Sequence, residues 1–158
     1  MALDFARNGE TESLAAMLQH GLPANLSDAK GSSLLTLASD HGHAETARLL
    51  LAHSAKVDRC NDRGQTPLGG VAFKAYEEIV ALLLAHGADI DGDTGRGMTP
   101  SMFAALFGRT KVVEQPQAHG ASLRRRNRLG ISAKRMVHIS RWMMRRFGRR
   151  NPHPRVAE

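Results

Sequence analysis

A repeat of 33 residues limits what this 158-residue chain can fold into. Two residue series keep that interval: Gly31, Gly64, Gly97 and Gly130, and His20, His53, His86 and His119. A fixed period of this length indicates a stack of similar supersecondary units, because one short unit cannot bury its own apolar face. The sequence therefore predicts a repeat array in which each unit packs against its neighbours.

The stretch 61–90, NDRGQTPLGGVAFKAYEEIVALLLAHGADI, shows the repeating unit most completely. Thr66-Pro67 predicts a helix start, because the hydroxyl can cap free N–H groups and the φ of proline suits the first helical position. Ile79 and the leucines at 82–84 form the apolar stripe of a second helix. Gly87 predicts the end of that helix, since glycine readily adopts a positive φ. The unit is therefore a polar turn followed by two short helices.

Three stretches carry this pattern in register: SLLTLASDHGHAETARLLLAHSAKVD, GQTPLGGVAFKAYEEIVALLLAHGADID and GMTPSMFAALFGRTKVVE. In them the chain resembles the ankyrin-repeat family, and in particular its short, stand-alone bacterial members. The resemblance implies an all-α solenoid of helix–turn–helix repeats joined by β-hairpin-like loops. It implies about four repeats, at residues 3–27, 28–60, 61–93 and 94–123, which present a concave surface to a protein partner.

The fourth unit departs from the pattern in its second half. It has Gln115-Pro116-Gln117 where earlier units carry three leucines. A proline inside a helix removes a hydrogen bond and clashes with the preceding turn, at a cost of about 3 kcal/mol. We therefore expect the second helix of this unit to be broken or shifted near Gln115.

Residues 124–150 keep the repeat register at first and then diverge into a basic cap. Four apolar residues recur there at helical spacing: Met136, Ile139, Met143 and Phe147. This spacing predicts one amphipathic helix in place of a last repeat, with Trp142 beside its apolar stripe. The basic patch of this helix consists of Arg135, Arg141, Arg145, Arg146, Arg149 and Arg150. Residues 151–158 are expected to form a flexible tail.

The net charge of +7 is distributed unevenly along the chain. Residues 1–120 hold 10 Lys and Arg against 14 Asp and Glu, whereas residues 121–158 hold 12 against one. The basic helix allows three interpretations. It is a polar cap that keeps the array soluble, a site for nucleic-acid phosphates or an anionic membrane, or a dock for an acidic protein.

The ankyrin resemblance implies that a protein partner contacts the hairpin tips and the exposed sides of the first helices. Mapped through the glycine register, the candidate partner-binding residues are Lys30, His41, Arg63, Gln65, Phe73, Lys74, Arg96, Met98, Leu106 and Phe107. Three of them, Phe73, Leu106 and Phe107, are large apolar groups at nominally exposed positions. They either form an interaction patch or pack under neighbouring loops.

The sequence contains no recognisable set of catalytic residues and no phosphate-binding loop. The repeated histidines fit helix ends better than a shared zinc ion. Packed helices lie about 8–10 Å apart, whereas each ligand nitrogen must lie about 2.0–2.1 Å from the zinc. We expect each of them to bond to free carbonyl groups at the end of its helix. We accordingly expect no enzymatic activity, no cofactor, no metal and no small-molecule substrate.

The single cysteine, Cys60, excludes an internal disulfide and fits a reducing compartment. It is either a redox-sensitive thiol or a small apolar filler. The N-terminal residues lack the apolar run of a signal peptide, and no window is long enough to span a membrane. The sequence thus predicts a cytoplasmic monomer that binds an unidentified protein.

Overall fold

The computed structural model describes residues 1–72, 74, 76–92, 98–106 and 130–147. Within these ranges the chain forms eight helices: α1 (Ala2–Asn8), α2 (Thr11–Gln19), α3 (Leu34–Asp40), α4 (Ala44–Ala52), α5 (Pro67–Ala72), α6 (Glu77–Ala85), α7 (Pro100–Leu106) and α8 (Ala133–Phe147). The predicted all-α class is confirmed. The expected break near Gln115 and the expected C-terminal tail lie outside the described residues.

The helices form two layers. The first helix of each unit packs on the first helix of the next, so that α1, α3, α5, α7 and α8 lie in one row. The second helices α2, α4 and α6 form the other row, and each packs against the first helix of its own unit. This is the arrangement of a solenoid, in which every unit contacts mainly its neighbours.

Hydroxyl side chains begin the first helices at the repeat interval. The four capping residues are Ser33, Thr66, Thr99 and Ser132, whose side-chain oxygens accept the N–H three residues later at 3.1, 3.1, 3.3 and 3.4 Å. Each contact satisfies one N–H group that has no partner inside its helix. Since Ser132 keeps the interval, α8 begins where the first helix of a fifth unit would begin.

The apolar core is continuous through the array. Leu50 in α4 and Leu83 in α6 occupy equivalent positions, and both side chains are fully buried. Ala47 and Leu51 face the core beside Leu50, as the sequence predicts. Leucine and alanine therefore fill the space between the two helix layers.

The contact between α8 and α7 is narrower than the sequence predicts. Met136 and Ser140, one turn apart, are 5% and 6% exposed, and Val137 packs at their edge. Ile139, which the apolar spacing placed with Met136, is 39% exposed. Three residues turn an α-helix by about 300°, so Ile139 points about 60° away from Met136. The side that meets α7 therefore lies toward Ser140, and Ile139 lies at its margin.

Candidate partner-binding face

The first hairpin tip is held by Asp28. Its Oδ1 accepts the N–H groups of Lys30 and Ser32, both at 2.9 Å, and its own N–H donates to the Ser32 carbonyl oxygen at 3.0 Å. Gly31 supplies the positive φ of 74° that the tip requires. A Cβ at Gly31 would lie 2.7 Å from Oδ1 of Asp62 in the next tip. The turn leaves the Lys30 side chain exposed.

The second tip repeats this arrangement with Asn61. Its Oδ1 accepts the N–H groups of Arg63 and Gln65 at 3.0 and 3.1 Å. The N–H of Asp62 donates to the carbonyl oxygen of Lys30 at 3.0 Å, which joins the two tips directly. The two tips are thus ordered by the chain's own contacts, and Arg63 is exposed on the second as Lys30 is on the first.

Lys74 lies partly buried against the end of α3. Its Nζ donates to the carbonyl oxygen of Asp40 and lies 3.5 Å from the Asp40 Oδ1. Gly70 approaches the same carboxylate so closely that a Cβ there would lie 2.2 Å from Oδ1 and 2.8 Å from Nε2 of Gln65. Lys74 and Gln65 therefore contribute to the junction between α3 and α5, and only part of each side chain is available to a partner.

The other predicted partner-binding residues differ in their exposure. His41 is exposed at the end of α3, where its Nδ1–H donates to the Leu37 carbonyl oxygen at 2.9 Å. Met98 is partly buried and packs against the core. Leu106 belongs to α7, but its side chain lies outside the described set. Phe73, Arg96 and Phe107 also lie outside the described residues, so the choice between an apolar patch and packing under loops stays a prediction.

The basic patch is located on α8. Its described side chains, Arg135, Arg141 and Arg145, are all exposed, as are those of Lys134 and His138. The α8 sequence, AKRMVHISRWMMRRF, contains no acidic residue. The side chain of Arg146, and Arg149 and Arg150 entirely, lie outside the described set.

Two of the repeated histidines bond to their helix ends as predicted. The Nδ1–H of His20 donates to the Ala16 carbonyl oxygen at 2.7 Å, and that of His86 donates to the Leu82 carbonyl oxygen at 2.8 Å. At His53 the backbone N–H makes the equivalent contacts. Among the residues described, no group of three or more His, Cys, Asp or Glu side chains is arranged to hold a metal ion.

Two contacts between neighbouring units escaped the sequence analysis. The ring of His43 covers Gly9, where a Cβ would lie 2.4 Å from Nδ1, and the ring of Tyr76 covers Gly42, where a Cβ would lie 3.0 Å from Cζ. The Nε2–H of His43 also donates to the Arg7 carbonyl oxygen at 2.9 Å. Each glycine precedes its ring by 34 residues, and this interval is the signal that could have revealed the contacts.

A repeated polar contact joins the loops that follow the second helices. Oδ1 of Asn25 accepts the N–H of Lys56 at 2.8 Å. The same contact recurs 33 residues later, where the carboxylate oxygens of Asp58 lie 3.0 and 3.1 Å from the N of Asp89. Burial raises the pKa of Asp58, and the negative charge of Asp89 raises it further. The Asp89 N–H opposes this effect, but the net direction is upward.

Asp58→Asn should therefore leave the free energy of unfolding at pH 7 unchanged or raise it by well under about 1 kcal/mol, because solvent screens this half-buried site. The amide oxygen can still accept the Asp89 N–H, as Asn25 does in the preceding unit. Protonation of Asp58 favours the folded state. That contribution is complete below the unfolded-state pKa and is lost as the pH rises through the raised folded-state pKa.

Urea unfolding at neutral and acidic pH tests this expectation. Any advantage of Asp58→Asn over the original chain should shrink as the pH falls, because only the original chain gains stability by binding a proton. A variant that is clearly less stable than the original chain at pH 7 would show instead that the carboxylate charge supports the loop contact.

Within the described part of the chain, no helix has both the length and the apolar character that crossing a bilayer requires. A family model described as "Ankyrin repeats (3 copies)" matches residues 3–92, more than half of the chain. A Pseudomonas aeruginosa protein whose name describes it as an ankyrin repeat protein is 58% identical over 41 residues. This match covers 26% of the present chain and 24% of the relative, so the chain spans about a quarter of the relative's length. Together with the stacked helix pairs, the family match shows that the chain belongs to the ankyrin-repeat family.

Proposed function

We propose that this protein is a non-enzymatic interaction module that presents its hairpin tips and first helices to a protein partner. Ankyrin repeats generally act as protein–protein interaction modules, and stacked repeats create extended binding surfaces. The observation that carries the proposal is the pair of joined tips, in which Asp28 and Asn61 order the backbone.

A surface ordered in advance favours binding. Each flexible side chain that is immobilised on association costs about 0.5–1.5 kcal/mol, and a loop that must be ordered adds to that cost. In the two tips the backbone is already fixed by contacts within the chain, among them the bond from Asp62 to Lys30. Binding would then need to restrict mainly the exposed side chains of Lys30, His41 and Arg63.

The remaining predicted residues would contribute less directly. Gln65 and Lys74 support the junction between α3 and α5, and Met98 packs on the core. Their partly exposed atoms would complete the edge of the binding face. The interaction needs no cofactor, and a monomer located in the cytoplasm remains our expectation.

Affinity capture from extracts of the source organism tests the proposal, with Arg63→Glu as the variant and Lys56→Glu as its control. Both substitutions exchange one exposed cation for an anion, but Lys56 lies on the loop after α4 and away from the tips. Quantitative mass spectrometry should identify a protein that Arg63→Glu captures at least tenfold less well while Lys56→Glu retains it. Equal capture by both variants, at equal melting temperature, would contradict a binding role for the tips.

A further inference from the structure

We propose that α8 carries a binding site for single-stranded nucleic acid, separate from the hairpin tips. The helix is 15 residues long, whereas the first helices of the other units have six or seven. The exposed cations on it are Lys134, Arg135, Arg141 and Arg145, with His138 among them. Since α8 contains no acidic side chain, nothing within the helix neutralises this charge.

The cations form a continuous strip. Lys134, Arg141 and Arg145 are spaced by seven and four residues, so they lie on one side of the helix. At a rise of 1.5 Å per residue, Lys134 and Arg145 are about 16 Å apart along the axis. Their side faces away from Met136 and Ser140, which are buried toward α7. This placement suits a ligand that carries several negative charges in a row, as a polynucleotide backbone does.

Trp142 selects a single strand among such ligands. It is 57% exposed and lies within one turn of both His138 and Arg145. Proteins that bind single strands combine a cationic track for the phosphates with aromatic side chains on which unpaired bases stack. Bases inside a duplex are already stacked on one another, so a duplex would gain less from the indole ring.

The same face is poorly suited to a membrane surface. A helix that lies on a bilayer inserts a broad apolar face between the headgroups. In α8 the apolar Met136 is buried in the protein core and Val137 packs against that core. Among the described side chains of the helix, the exposed large apolar groups are Ile139 and Trp142. The charge density thus favours a polyanion in water over a lipid interface.

The full-length protein provides its own reporter, because Trp142 is its single tryptophan. Titration with an oligothymidylate of about 20 nucleotides at 50 mM salt should quench the indole fluorescence, because a base stacks on the ring. Anisotropy of a labelled oligonucleotide gives the affinity. With three or four phosphate contacts, log K should fall against log salt with a slope of about −2 to −3.

Substitutions separate this site from general attraction to a basic protein. Arg145→Glu should weaken oligonucleotide binding about tenfold, whereas Lys56→Glu, which changes the net charge equally, should leave it within about twofold. Trp142→Ala should cost roughly tenfold and Trp142→Phe should restore much of that loss, because stacking needs an aromatic face. Circular dichroism verifies that each variant keeps its helices, and Arg63→Glu should bind the oligonucleotide normally.

Several results would overturn the proposal. They are an unchanged fluorescence and anisotropy at 50 mM salt, or equal losses for Arg145→Glu and Lys56→Glu. Vesicles of phosphatidylserine and phosphatidylcholine would also overturn it if they shifted the indole emission to the blue and displaced the oligonucleotide. A polyglutamate that competed as well as the oligonucleotide would point to an acidic protein instead. None of these results bears on the hairpin tips.

Discussion

Replacing Leu50 by alanine is expected to lower the free energy of unfolding by about 3 kcal/mol. Leu50 is fully buried in α4, and α4 packs between α2 and α6. The loss combines the transfer energy of the removed methyl groups with the cavity that they leave. Because each unit is stabilised mainly by its neighbours, a defect in a central unit weakens both of its interfaces. Urea unfolding followed by circular dichroism measures the change.

Leu49→Ala is the matched control for this prediction. It removes the same atoms from the adjacent residue of α4, but Leu49 is only partly buried. Its loss should be about 1 kcal/mol, in proportion to the smaller apolar area that it removes from water. Equal losses at the two positions would mean that α4 does not turn Leu50 toward the core.

Gly70→Ala is expected to lower the free energy of unfolding by about 2 kcal/mol, within the usual range for overpacked sites. The direction is informative, because alanine is normally favoured over glycine inside a helix by about 0.5–1 kcal/mol. In α5 the new Cβ would lie 2.2 Å from Oδ1 of Asp40, which is closer than any ordinary contact. The carboxylate would have to move, and with it the ion pair to Lys74.

A double-mutant cycle isolates that clash. In the Asp40→Ala background the carboxylate is gone, so Gly70→Ala should cost much less than it does in the original chain. Thermal and urea unfolding of the four proteins give the coupling energy. A stabilising effect of Gly70→Ala in the original chain would show that α3 and α5 are farther apart than described.

The regular part of the fold could be predicted because its causes are local and repeat. Thr66-Pro67 marks a helix start, and the hydroxyl of Ser33 caps even without the proline. Gly31 and Gly64 have positive φ values of 74° and 73°, as expected for tight turns. Once the interval is known, each such position recurs in the next unit and fixes the stack.

The contacts between units could not be predicted in the same way. The ring of Tyr76 on Gly42 and the ion pair of Lys74 with Asp40 join neighbouring units, and they depend on side-chain directions that no local pattern specifies. The exposed position of Ile139 has the same origin. Its spacing from Met136 is helical, but the position of α7 determines which side of α8 is buried.

The candidate binding face shows the same division. The glycine register places Lys30 and Arg63 at the tips, because a residue next to a positive-φ glycine in a tight turn is exposed. The register alone could not show that Lys74 is partly buried against α3. Positions at tips are therefore predicted more securely than positions at the ends of helices.

Hydrogen exchange of the Ser32 and Gln65 amides in the free protein tests most directly whether the binding face is formed in advance. These N–H groups donate to the side chains of Asp28 and Asn61 at 2.9 and 3.1 Å. Exchange detected by NMR should be markedly slower than in an unfolded chain, because each tip must open before exchange occurs. Exchange at the unfolded-chain rate at both amides, while α4 and α6 remain protected, would contradict a preformed surface.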